Sequence, residues 1–298
     1  MAVLLLVILA CIPAGVLLPA TLARARRQLA GAVSAGSVAL PREVIRRTAS
    51  WRWAGIVGGL VAGTAAASSG ALGRGLLLAA PVFGICVLAG VVVGETSVRP
   101  PGGRTRAAPF EVRRVRDYVP RGLATAAVAE ATLLVAVLSV TTATGAADDL
   151  GRGGRIVVLQ CSQGLQTGTG PWPGSFYSGP LAAIVVAGLT AAGIALKVVV
   201  RRPRAGADPA MVAADDALRR RAAQAITSAC GVLLGLPLAG VCLIASTALL
   251  RLSCAPAWLT VAAWVILALV PAAVVVIGWC AALLLSPARV LSRTLPST

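Results

Sequence analysis

Apolar residues run in seven long blocks along this chain, and arginines gather in the gaps between them. The blocks lie at about residues 3–22, 53–67, 71–94, 122–144, 180–200, 223–250 and 259–285. A helical stretch of about 20 apolar residues matches the thickness of a bilayer's hydrocarbon layer. The pattern therefore predicts an all-α fold, a polytopic transmembrane helical bundle with seven spans (six if the first is removed), forming a single domain over residues 1–298.

The gaps alternate in character. On one side they are short or neutral. Ser68, Ser69, Gly70 and Arg74 make a tight turn, as do Arg251, Cys254 and Trp258. Residues 145–178 form the one long loop, rich in Gly, Pro, Ser and Thr, with Trp172, Phe176 and Tyr177 near its return. On the other side the gaps are basic. The segment Arg99–Arg121 alone carries seven arginines against Glu111 and Asp117. Positive loops stay on the cytoplasmic side of a membrane. With that assignment 23 of the 27 basic residues fall inside and four outside, which predicts an N-out, C-in topology. The first block has no basic residues before it and Arg24, Arg26 and Arg27 directly after it. That is the reverse of a cleaved signal peptide, so the block reads as a retained span.

Composition supports the same class. The chain is 58% hydrophobic and 12% charged, with a mean hydropathy of +0.88. A soluble core of this size does not absorb so much apolar surface. The net charge of +17 does not point to nucleic acid, because the positives sit between apolar blocks instead of covering one face. The expected partners are the lipid bilayer, in the plasma membrane, and a protein docked on the basic cytoplasmic loops. In the central loop Val112, Val115 and Val119 can share a helical face opposite Arg113, Arg114, Arg116 and Asp117. That suits either an interfacial helix or a docking surface.

Candidate chemistry is sparse. There is no histidine, which excludes His-based acid–base catalysis and His-ligated haem. No phosphate-binding loop, nucleophile elbow, dinucleotide fingerprint or metal-ligand cysteine spacing occurs. The expectation is no catalytic residue, no cofactor and no metal.

Glu130 stands out. It lies about nine residues into the fourth span, roughly 13 Å from the boundary at ~1.5 Å per residue. An acid at that depth faces protein or water or stays protonated. It reads as a proton or cation relay or a substrate contact, against the alternative of a neutral packing group. By depth, Thr64, Cys86, Thr190 and Cys280 are its candidate neighbours. Glu95 and Lys197 lie at one level near the inner boundary, each expected to reach water on its own stem.

Gly55, Gly59 and Gly63 line one face of the second span and suit close helix packing within the monomer. Gly231 and Gly235 repeat the spacing in the sixth. Pro237 and Pro271 are candidate kinks. Cys161 and Cys254 are the two cysteines placed outside, a candidate disulfide in an oxidising exterior.

The Ala/Val/Arg bias, the basic approaches to each hairpin and the run Arg116-Asp117-Tyr118-Val119-Pro120-Arg121 before a span resemble the uncharacterised polytopic integral membrane proteins of actinobacteria. The resemblance covers the whole chain loosely. It implies a membrane fold and no particular activity. The function expected is a non-enzymatic membrane subunit or permease-like component. The alternatives are an autonomous small-solute or proton-linked transporter using Glu130, and a lipid-acting membrane enzyme.

Overall fold

The structure, a computed structural model, describes residues 42–69, 73–98, 114–161, 164–202 and 209–285. Among them are six helices: α1 (Arg42–Ser68), α2 (Arg74–Thr96), α3 (Arg121–Ala143), α4 (Ser175–Arg201), α5 (Pro209–Leu250) and α6 (Ala257–Leu285). The span expected at 3–22 lies outside the described residues. Five helices, α2 to α6, are long and apolar enough to cross a membrane. The apolar run of α1 is diluted by Arg52 and by Gly55, Gly58, Gly59 and Gly63.

α5 is the core of the bundle, packed against α2, α3, α4 and α6. Its apolar stretch is 67% buried, against 17% for α3 and 22% for α6. Leu233 of α5, fully buried, wedges between α2 and α4. A Cβ on Gly84 would lie 2.8 Å from its Cα, and one on Gly188 would strike its side chain.

The outward faces are apolar. Val57, Val61, Val128, Val135, Val186, Ile194, Val261 and Val265 are each more than half exposed. Glu95, Glu130, Thr141, Ser178, Ser228 and Ser246 are buried instead. Apolar surface turned out and polar groups turned in is the arrangement that a lipid solvent favours.

α1 packs along α2 through glycine. A Cβ on Gly55 would meet the Cys86 carbonyl oxygen at 2.8 Å and the Gly90 Cα at 3.0 Å, and one on Gly59 would meet Phe83 at 3.0 Å. A Cβ on Gly63 would come 3.3 Å from the Ala79 carbonyl oxygen. The backbones touch because there are no side chains to hold them apart.

Three differences from the sequence pattern have physical causes. α1 and α5 begin well before their apolar blocks. Their N-terminal parts carry charge, Glu43, Arg46 and Arg47 in α1 and Asp215, Asp216 and Arg219 to Arg221 in α5, and hydropathy records only the part that avoids water. Residues 145–174 are not bare loop. The described residues there include an antiparallel sheet, β1 (Gly145–Ala146), β2 (Ile156–Gln160) and β3 (Gln166–Thr169), in the order β1-β2-β3. The β-branched Ile156, Val157 and Val158 carry β2, and Val157 pairs with both Gly145 and Thr169. Finally, the described part of the central basic loop is a single 3-10 turn over Val115–Asp117, in which the Asp117 carboxylate accepts the Arg114 backbone N–H. Val112 lies outside the described residues.

The sheet forms a cap stitched to the helix ends. Trp172 Nε1–H donates to the Thr141 carbonyl at 2.7 Å, and Thr169 Oγ1 donates to the Ala248 carbonyl at 2.9 Å. A disulfide joins Cys161 after β2 to Cys254 between α5 and α6. Gly154 has φ +75°, and a Cβ there would collide with Ser175, so only glycine lets the chain turn back onto the start of α4. Pro237 and Pro271 lie inside α5 and α6, and both helices continue through them.

Candidate functional site within the bundle

Pro120 caps α3 and fixes where the helix starts. Ten positions in, Glu130 points at α5 and is 4% exposed. Opposite it α5 carries Gly231 and Gly235, four residues apart and so on one face. A Cβ on Gly235 would lie 2.7 Å from Glu130 Oε1 and 2.6 Å from Ile277 of α6. A Cβ on Gly231 would lie 2.5 Å from Cys280 Sγ and 3.7 Å from Glu130 Oε2. The two glycines make a notch, and the carboxyl fills it against Ile277 and Cys280.

Both carboxyl oxygens are buried without a hydrogen-bond partner among the described residues. The Ser228 hydroxyl, 0% exposed, is likewise unpartnered. An ionised carboxylate in such surroundings has nothing to replace its hydration, whereas the neutral acid loses far less. Among the described residues no group of three His, Cys, Asp or Glu is placed to hold a metal.

Of the four neighbours expected by depth, Cys280 shares this site. Thr64 is exposed and donates to the carbonyls of Leu60 and Val61, and Thr190 is exposed and donates to that of Val186. Cys86 lies at the α1–α2 contact.

Glu95 departs from expectation. It is 5% exposed and does not reach water. Arg52 Nη2 pairs with its Oε1 at 2.5 Å, while Arg52 Nη1 donates to the Leu284 carbonyl of α6 at 3.0 Å. Arg202 donates to the Glu95 backbone carbonyl at 2.6 Å. Lys197 is exposed. Arg52 reads as a loop charge in the sequence because it precedes the apolar run. In the structure it lies within α1 and ties α1 to α2 and α6.

Arg219 closes the same end. It is 2% exposed, pairs with Asp215 at 2.6 Å, and donates to the carbonyls of Val200 and Arg202 at 2.7 Å each, capping α4. Burial, and the like charge of Arg219, push the Arg202 guanidinium below its usual range, with Glu95 and Asp215 opposing.

At the capped end Asp148 gathers Arg152 and Arg155. The Arg152 side-chain hydrogen bond holds the Asp148 carboxyl well below the usual carboxylate range, against a partial cost of burial. Arg74 and Arg155 lie 5.0 and 5.5 Å from the Phe176 ring centre.

Fold and site together define a helical bundle suited to a membrane, with one unpaired acid against its central helix. Compared with known proteins, the chain matches no family model, no curated protein and no solved structure.

Proposed function

We propose that this chain is a non-enzymatic, permease-like component of the plasma membrane, and that Glu130 is the group through which it handles a proton or small solute. One observation carries the reading: Glu130 is a buried, unpartnered acid held in a glycine notch of the central helix. Acids at such depth are costly and serve pathways more often than packing. The seven-span, N-out and C-in arrangement belongs to the same proposal, and the 23-to-four distribution of basic residues supports it.

The test is proton flux into proteoliposomes carrying a pH-sensitive dye, under an imposed gradient. Wild-type flux above that of empty vesicles, reduced at least tenfold in Glu130→Gln, is the expected result. Equal flux in the two proteins would remove Glu130 from the mechanism. A second reading, a subunit active only with a partner on the basic loops, predicts silent wild-type vesicles. It also predicts a stoichiometric partner after mild-detergent purification from the native membrane.

A further inference from the structure

Three buried polar oxygens lack partners among the described residues in the middle of this bundle: the two of Glu130 and that of Ser228. Buried hydroxyl and carboxyl groups are nearly always bonded, and orphaned ones are commonly satisfied by internal water. Ser228 is three residues from Gly231 and seven from Gly235. At ~100° per residue it shares the face of α5 on which the notch lies. Along the axis it sits about 4.5 Å from Gly231.

The same face continues toward the arginine-rich end. Arg221 precedes Ser228 by seven residues, close to the same azimuth. It is half-buried, has no hydrogen-bond or ion-pair partner among the described residues, and lies near Arg52 and Glu95. One stripe of α5 thus runs from Arg221 past Ser228 to the notch of Glu130.

We propose that Glu130 and Ser228 hold a proton between them through bound water, as the inner end of an entry route along the Arg221–Ser228–Gly235 face of α5. This rests on the reading of Glu130 as a functional group and names its ligand as a proton, not a metal cation. Three oxygens fall short of the six or more that a calcium or magnesium ion takes. The Leu233 carbonyl, which Pro237 leaves without its helix N–H, would bring the count to four, still short of six. Cys280 and its neighbour Cys230 are the other titratable groups here, and both are thiols. In the transfer step a hydronium gives its proton to a Glu130 oxygen, one O–H bond breaks and one forms, and the water left behind is bonded to Ser228. Release is the reverse.

The experiment is infrared spectroscopy of the full chain in liposomes, reading the carboxylic-acid C=O band and its deuterium shift on transfer to D2O. The expected result has four parts. The band is present in wild type and absent in Glu130→Gln. Ser228→Ala shifts it and slows exchange at least tenfold. Ser228→Thr, which keeps the hydroxyl, restores the wild-type rate. Sodium, potassium or magnesium leaves it unmoved. The control is Ser246→Ala, since Ser246 is buried but already bonded to the Leu243 carbonyl.

Absence of the band in wild type, a cation-dependent shift, or identical behaviour of Ser228→Ala and Ser246→Ala would each overturn the proposal. If Ser228→Ala does not fold, Ser228→Cys replaces it under the same criteria. Silent vesicles in the flux assay, with band and exchange as expected, would retire the transport reading and leave the proton site standing.

Discussion

Replacing Glu95 by glutamine should destabilise the bundle more than replacing its partner Arg52 by methionine. The pair is 2.5 Å long with side chains 9% and 7% exposed, and breaking a buried pair costs about 3–5 kcal/mol. The two halves are not equivalent, however. Glu95 is the carboxylate facing Arg52, and it also offsets the charges of Arg202 and Arg221. Its loss leaves three guanidiniums together, so the cost falls near the upper end, about 4–5 kcal/mol.

Loss of Arg52 leaves Glu95 with two cations nearby and orphans one bond to the Leu284 carbonyl. That bond contributes about 1 kcal/mol, but the remaining cations still balance Glu95, so the total falls near the lower end, about 3 kcal/mol. The double variant should cost less than the sum by about 2 kcal/mol, since contacting residues couple on this scale. Unfolding in mixed dodecyl maltoside–SDS micelles, followed by tryptophan fluorescence, measures all three. Equal costs for the single variants, or strict additivity in the double, would refute the reasoning.

Other outcomes follow from the same structure. Gly55→Ala should lose about 1–3 kcal/mol through overpacking against Gly90. Gly58→Ala, where a Cβ meets nothing within 4 Å, should be neutral or gain up to about 1 kcal/mol of helix propensity, in the same micelle assay. Cys161→Ser should open the cap to protease and abolish the mobility change on reduction. Its global cost should stay below the ~4.7 kcal/mol expected for a free loop of about 100 residues, because α4 and α5 are held by their packing. Asp148 has a folded pKa below its unfolded value. Its contribution is therefore present above about pH 4 and is lost only as pH falls through the lower folded value. Hydrogen exchange in residues 145–160 should show the cap intact at pH 4 in wild type and weakened in Asp148→Asn.

The six described helices were legible because an apolar run bounded by arginine has few other meanings. Their polar extensions were not, since α1 and α5 start in residues that water also welcomes. Counting along the chain placed Glu130 and Cys280 at one depth. It could not separate Cys280 from Thr64 or Thr190, because depth fixes height on a helix and leaves rotation to the neighbours. Gly231 and Gly235 were visible as a spacing, but their significance lies in the acid they face. Arg52 was hidden by its company: amid other arginines it looked solvated. The cap carried its own signal in Ile156–Val158, obscured by the glycines around it.

α5 has 42 residues and so is about 63 Å long, roughly twice the ~30 Å of a hydrocarbon layer. Its lower part is clamped to α4 by Arg219, its middle is the floor beneath Glu130, and four residues beyond its last turn Cys254 is bolted to the sheet. One continuous helix joins the three stations, and the gap that Pro237 leaves in its hydrogen-bond ladder falls between the notch and the sheet. Bending there would carry the sheet while the acid and the arginines keep their places relative to each other.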